Sequence, residues 1–266
     1  MVKRILFIFI LLVSTFSFSQ LSKNHYIPPI SSGPSNADPL DQLMYISTPN
    51  QGDVNFTINI VGGNSISGTV SNATPYVYGI ADSGYSSFVQ DPATTSRVTS
   101  DKGYIINADS PIYVSVRLNA GGNAQAGALV SKGENALGTT FRIGTYDNQG
   151  NPGSNYLNFF SFMATEDNTT VNLTNERVTS GLQIQNAGAQ QFPINNISLN
   201  RGQTYVVAVK PEDTNENRAG LIGTLVSSDK PIVVNSGSAN GSFGNGGARD
   251  YGIDQIVELS KVGKEY

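Results

Sequence analysis

The sequence predicts an all-β protein made of two tandem antiparallel β-sandwich-like repeats, and three observations carry that prediction. The first is a duplicated corner. Asp109-Ser110-Pro111-Ile112-Tyr113-Val114 returns 120 residues later as Asp229-Lys230-Pro231-Ile232-Val233-Val234. Proline fixes φ at about −65° and lacks an N–H, so each copy reads as a tight polar corner opening into a strand that starts at Pro111 or Pro231. The second is order. Tyr45-Ile46-Ser47-Thr48 and Val54-Asn55-Phe56-Thr57 align without a gap onto Phe162-Met163-Ala164-Thr165 and Val171-Asn172-Leu173-Thr174, at an offset of 117. Thr69 to Val77 matches Ser198 to Val206, and Leu137-Gly138-Thr139-Thr140-Phe141 matches Val262-Gly263-Lys264-Glu265-Tyr266. Four pairs in one order read as a tandem repeat whose length changes fall in surface loops. The third is composition: 28 glycines with abundant Asn, Ser and Thr suit many short strands joined by tight turns.

From the start of the chain, Lys3-Arg4, the apolar run Ile5 to Val13 and the small residues before Gln20 read as a signal peptide over 1–19, because the run is too short for a hydrocarbon core of about 30 Å. Its removal takes two of the sixteen cations and none of the twenty acids, leaving an exported chain of net charge −6 with no basic patch for nucleic acid. Residues 20–42 hold four prolines and read as an extended arm, with His25 solvated or loosely packed. Repeat 1 spans 43–159. In it Val54, Phe56, Ile58 and Ile60 alternate with Asn55, Thr57 and Asn59, as in a strand with one wet face. Ile112, Val114, Val116 and Leu118 alternate likewise with Tyr113, Ser115 and Arg117. Repeat 2 spans 160–266 and reads as incomplete, since Tyr266 corresponds to Phe141, where a strand begins in the first copy. The expectation is an uncovered sheet edge in the second repeat. Seven or eight strands in about 115 residues suit a sandwich, while β-propeller blades are the alternative arrangement.

Catalytic sets are thin. The chain has one histidine and no cysteine, and no Gly-x-Ser-x-Gly elbow occurs. Zero cysteine also excludes thiolate metal sites and a lipid-anchored cysteine. Carboxylates are the remaining route to chemistry, as in a two-acid glycan hydrolase, and the candidates are Glu166-Asp167, Glu212-Asp213 and Asp250 with Asp254. Each sits in a loop, where turn or solvated acids are the plainer reading. Asp147, Asn148 and Asn151 form an oxygen-rich loop able to hold calcium, or a plain Asx turn; no other cofactor is expected. Asp109 and Asp229 read as structural acceptors for N–H groups at the repeat corners. The Gly-rich loop around Asn240, Phe243, Asn245 and Arg249 is the candidate binding loop.

Ala164-Thr165-Glu166-Asp167-Asn168-Thr169-Thr170-Val171, Leu199-Asn200-Arg201-Gly202-Gln203-Thr204-Tyr205, Gly223 to Ile232 and Val262-Gly263-Lys264-Glu265-Tyr266 together resemble the IgG-Fc-binding protein N-terminal domain family, over most of Leu43 to Tyr266. His25-Tyr26-Ile27-Pro28-Pro29 looks like the start of large exported Bacteroidota proteins that carry this domain and end in a gliding-motility-associated sorting domain. The resemblance implies an extracellular, non-enzymatic binding or adhesion module for protein or glycan ligands. Val262-Gly263 departs from the Trp-Gly of several members, and antibody binding itself is not implied. A carboxylate-based hydrolase and a passive stalk are the alternatives.

Overall fold

The structure is a computed structural model that describes residues 20–33, 39–120, 125–148, 150, 153, 157–177, 181–188, 190–242 and 249–262. The segment read as a signal peptide lies outside the described residues. The chain is all-β and antiparallel in its two large sheets, as the sequence predicts.

In chain order the first part carries β1 (Ser22–Ile27), β2 (Ile30–Ser31), β3 (Leu40–Ser47), β4 (Val54–Ile60), β5 (Ser65–Val70), β6 (Tyr76–Ser83), β7 (Val89–Gln90), β8 (Val98–Thr99), β9 (Tyr104–Ala120) and β10 (Gln125–Val130). The second carries β11 (Gly138–Arg142), β12 (Leu157–Ala164), β13 (Thr169–Thr174), β14 (Ile194–Leu199), β15 (Thr204–Val209), a short helix α1 (Asn215–Ala219), β16 (Leu225–Gly241) and β17 (Asp250–Ile256). The strand orders β5-β4-β9-β3-β6 and β14-β13-β16-β12-β15 are the same topology twice. In both, a strand of 17 residues is the shared spine. The first part of β9 pairs with β1 and β4 and the rest with β3 and β10, so one strand serves two layers and β16 does likewise.

Pro111 and Pro231 stand at the change of partner. Neither begins a strand, contrary to the sequence reading: both lie inside the spine, where the strand passes from one layer to the other and the proline's missing N–H falls at a break in the ladder. Thr48 Oγ1 donates to Pro111 O at 3.0 Å and Thr165 Oγ1 to Pro231 O at 2.6 Å, fixing both corners in the same way.

Counting from the two prolines aligns the units residue by residue. Ile46 faces Val114 as Phe162 faces Val234, and Ile58 faces Ile106 as Leu173 faces Val226. The ungapped alignment is therefore slipped by one residue over Tyr45-Ile46-Ser47 and by two over Val54-Asn55-Phe56-Thr57, while Thr48 and Thr165, just past the strand ends, are matched by their corner bonds. The hairpin between β12 and β13 is shorter than that between β3 and β4, and that difference absorbs the slip.

The first strand of each unit corrects two further expectations. His25 faces Ile106 as Phe141 faces Val226, and both β1 and β11 shift register just after the residue facing Ile112 or Ile232. The arm thus opens with a ladder strand of the first unit, and His25 is fully buried rather than solvated. The edge expected to be open in the second repeat is occupied by Gly138–Arg142, a segment that the sequence division at 159/160 assigns to repeat 1.

The cores follow from this. Phe160, Phe162, Val171, Leu173, Val207 and Val234 fill the second unit. Met44, Ile46, Phe56, Ile58, Ile106, Val114 and Val116 fill the first, and that core continues into Leu157, Phe159, Val206, Ala208, Ala239 and Tyr251 of the second. Every residue of β12 and of β15 is buried, because one face of the sheet packs inward and the other caps the first unit.

Candidate binding face

At the corners, Asp109 Oδ2 accepts from Asn55 Nδ2 at 2.7 Å and Asp229 Oδ1 accepts from the Thr170 N–H at 2.7 Å, each reaching the neighbouring strand. In the oxygen-rich loop Asn148 is buried, donates to Asn158 Oδ1 at 2.7 Å and accepts from the Ser242 N–H at 2.9 Å, so its carbonyl oxygen is committed to tying two segments together. Asn151, Phe243 and Asn245 lie outside the described residues. Among the described residues no group of three or more His, Asp or Glu could hold a metal ion.

Asn240, proposed for a binding loop, is fully buried at the end of β16 with φ 55°, and Arg249 is half-buried before β17. Five of the six candidate acids have partners. Asp167 accepts from the Arg201 N–H, Lys210 pairs with Glu212 and Asp213, and Lys132 pairs with Asp254 at 2.8 Å. Asp250 accepts from the Ala126 N–H at 3.0 Å. Of the three pairs, Asp250 and Asp254 come nearest to a shared cleft, since Asp254 lines it and Asp250 lies near Tyr146, whose phenol is pushed up by burial first and by Asp250 second.

The junction between the units is polar at its centre, which the sequence did not announce. Asn235 Nδ2 donates to Pro28 O at 2.8 Å, Gln255 Nε2 to Tyr26 O at 2.8 Å, and Ser161 Oγ to Pro29 O. His25 adjoins this layer. Its Nε2 faces two carbonyl oxygens, Ser22 O at 3.1 Å and Ile112 O at 3.0 Å, so Nε2 carries the hydrogen and Nδ1 is left to accept from Ser131 Oγ at 2.9 Å. Burial holds this imidazole below its ordinary 6.5, against the opposing pull of the two carbonyls and of Glu134. The ring is neutral at neutral pH.

The same outward sheet face, buried in the second unit, is exposed in the first. By register Tyr45 stands where Ser161 does, Val77 for Val206, Tyr113 for Val233, Ser115 for Asn235 and Val130 for Gln255. Val77 is 49 % exposed, Tyr113 39 % and Val130 37 %, and the Arg117 guanidinium lies 5.2 Å from the Tyr45 ring centroid. Exposed aromatics beside a stacked arginine, on a rigid sheet, have the makeup of a protein-recognition patch. Period-two alternation in β9 placed Tyr113, Ser115 and Arg117 on one face. It could not say that this face is left uncovered in one repeat and covered in the other.

Two concave features accompany it. A cleft of about 300 Å³ at the free end of the second unit is lined by Gly144, Thr145, Tyr146, Ser236, Gly252 and Asp254 among others. A polar groove of about 430 Å³ is lined by Asn59, Ile105, Asn107, Asp167 and Arg201.

With the fold and these surfaces in place, comparison with known proteins gives one family: residues 126–266 match the model of the family described as IgGFc binding protein. That is more than half of the chain. The chain belongs to the IgGFc binding protein family. The match opens in β10 and takes in the whole second unit, and the repeated topology extends the same fold to the first. No curated protein and no solved structure matches the chain. The IgGFc binding family is one of binding modules and is not known as enzymatic. Among the described residues no helix is long and apolar enough to cross a membrane.

Proposed function

We propose that this protein is an exported, non-catalytic adhesion module that binds a protein ligand through the exposed face of its first unit, made by Tyr45, Val77, Tyr113, Arg117 and Val130. The observation that carries the reading is that face itself: three large apolar side chains more than a third exposed, two of them flanked by a stacked Arg–Tyr pair, in a chain whose family is one of binding modules. The leader over 1–19 supports a location outside the cell.

The test is an array of extracellular proteins, immunoglobulin Fc included, and of glycans, probed with the chain from Gln20. A protein ligand is expected to be retained, and Tyr113→Ser to weaken it about thirtyfold, since an aromatic anchor at an interface carries about 2 kcal/mol. Silence across the array, or equal binding by Tyr113→Ser, overturns the reading. The groove formed by Asn59, Asn107, Asp167 and Arg201 favours one rival, a glycan ligand. A glycan signal lost in Arg201→Ala but kept in Tyr113→Ser would move the site there.

A further inference from the structure

The junction between the units is made by two unlike surfaces, the outward sheet face of the second unit and the end of the first unit closed by Tyr26-Ile27-Pro28-Pro29-Ile30. Because the units are copies, each surface occurs twice, and the junction uses one of each. The face of the first unit and the end of the second remain. By register Gly144, Thr145 and Tyr146 occupy the places of Pro28, Pro29 and Ile30, counting on from the match of Phe141 with His25. Among the described residues this end is open: none of them lies within 4 Å of a Cβ added at Gly144, and the 300 Å³ cleft lies alongside.

We infer that the face of the first unit docks onto the open end of the second unit of another copy of this chain, head to tail. The inference rests on the reading of that face as protein-binding and names its partner. Three observations fit the two surfaces together. The internal junction is bonded by side chains of the face donating to backbone carbonyls of the end, Ser161 to Pro29 O and Asn235 to Pro28 O. The free face carries hydroxyl donors at both of those places, Tyr45 and Ser115, and the free end presents backbone at Gly144 and Thr145 in the place of the two prolines. The charges fit as well: Arg117 stands on the face at the position of Gly237, and Asp250 lies near Tyr146 at the open end, where Asp254 is already held by Lys132.

The copies are not identical. Ser236, Ser238 and Asp254 stand at the open end where the first unit has Val116, Leu118 and Leu129, so the contact between chains is wetter and weaker than the one within. Because the two surfaces differ, the contact is heterologous, and association extends into a row rather than stopping at a two-fold dimer.

Sedimentation velocity of the chain from Gln20 over a concentration series tests this. The wild type is expected to gain mass with concentration. Val77→Glu with Tyr113→Glu on the face, and separately Gly144→Arg at the end, should each stay monomeric. An equimolar mixture of the two variants should form a complex of two chains and no larger, since each retains one intact surface. Circular dichroism and melting of each variant confirm folding. A wild type that stays monomeric up to about 1 mM, variants that assemble as it does, or a mixture that stays monomeric overturns the inference. A chain that is monomeric throughout yet binds an array protein through Tyr113 keeps the proposed function and loses only this partner.

Discussion

His25 occupies, in the first unit, the position that Phe141 fills in the second, and the exchange of a hydrocarbon ring for an imidazole makes the fold sensitive to acid. Burial lowers its pKa, so below about pH 6.5 the unfolded chain binds a proton at this site that the folded chain does not. Stability is therefore expected to fall as the pH drops from about 6.5 toward the lowered folded-state value, by up to about 1.4 kcal/mol per pH unit. No other histidine titrates in that window, because the chain has only one. Urea denaturation from pH 8 to pH 5 measures the slope. His25→Phe should remove it while lowering stability at pH 8 by about 1–3 kcal/mol, since the carbonyls of Ser22 and Ile112 lose their donor. Nothing in the sequence around residue 25 reveals this burial: one strand of alternating residues next to Pro-Pro reads equally as a solvated arm, and only the pairing with β9 decides.

At the scale of elements, the duplication was legible and its register was not. Asp-x-Pro is rare enough to mark one place in each copy, and the two prolines do occupy equivalent positions in β9 and β16. Strand sequences such as Val54-Asn55-Phe56-Thr57 and Val171-Asn172-Leu173-Thr174 are weaker guides, because a slip of two residues returns every side chain to the same face and leaves the apolar pattern unchanged. The slip of one in β3 is of another kind: it exchanges the faces, and the mixed Tyr-Ile-Ser-Thr sequence gave no strong pattern to prevent it. The corner bonds provide a symmetrical test. Thr48→Val and Thr165→Val should each cost about 0.5–1.5 kcal/mol in chemical denaturation, with little change in m, since each removes the donor to one proline carbonyl without opening a cavity. A loss at only one of the two would mean that the corners are not equivalent.

For the whole molecule, the core of the first unit runs through Leu157, Phe159, Val206 and Ala208 into the sheet of the second, so the units share buried apolar surface instead of meeting across solvent. An uncovered edge would let the second unit melt before the first. With β11 in that place and the shared core between, a single calorimetric transition is expected for the chain from Gln20. Phe159→Ala should lower stability by about 3–5 kcal/mol by emptying a site between the units, and is the variant most able to split the transition in two. Two transitions in the wild type would show that the junction is too weak to couple the units.

The polar layer of that junction also sets how the protein can change over generations. Its acceptors in the first unit are the main-chain oxygens of Tyr26, Pro28 and Pro29, while its donors in the second are the side chains of Gln255, Asn235 and Ser161. A point mutation can delete a side-chain donor but not a carbonyl, so tolerance to substitution is lopsided. In a saturation library scored for folding, positions 161, 235 and 255 should admit few residues and position 26 many. One side of the seam is written in the genetic code, and the other is present in every polypeptide.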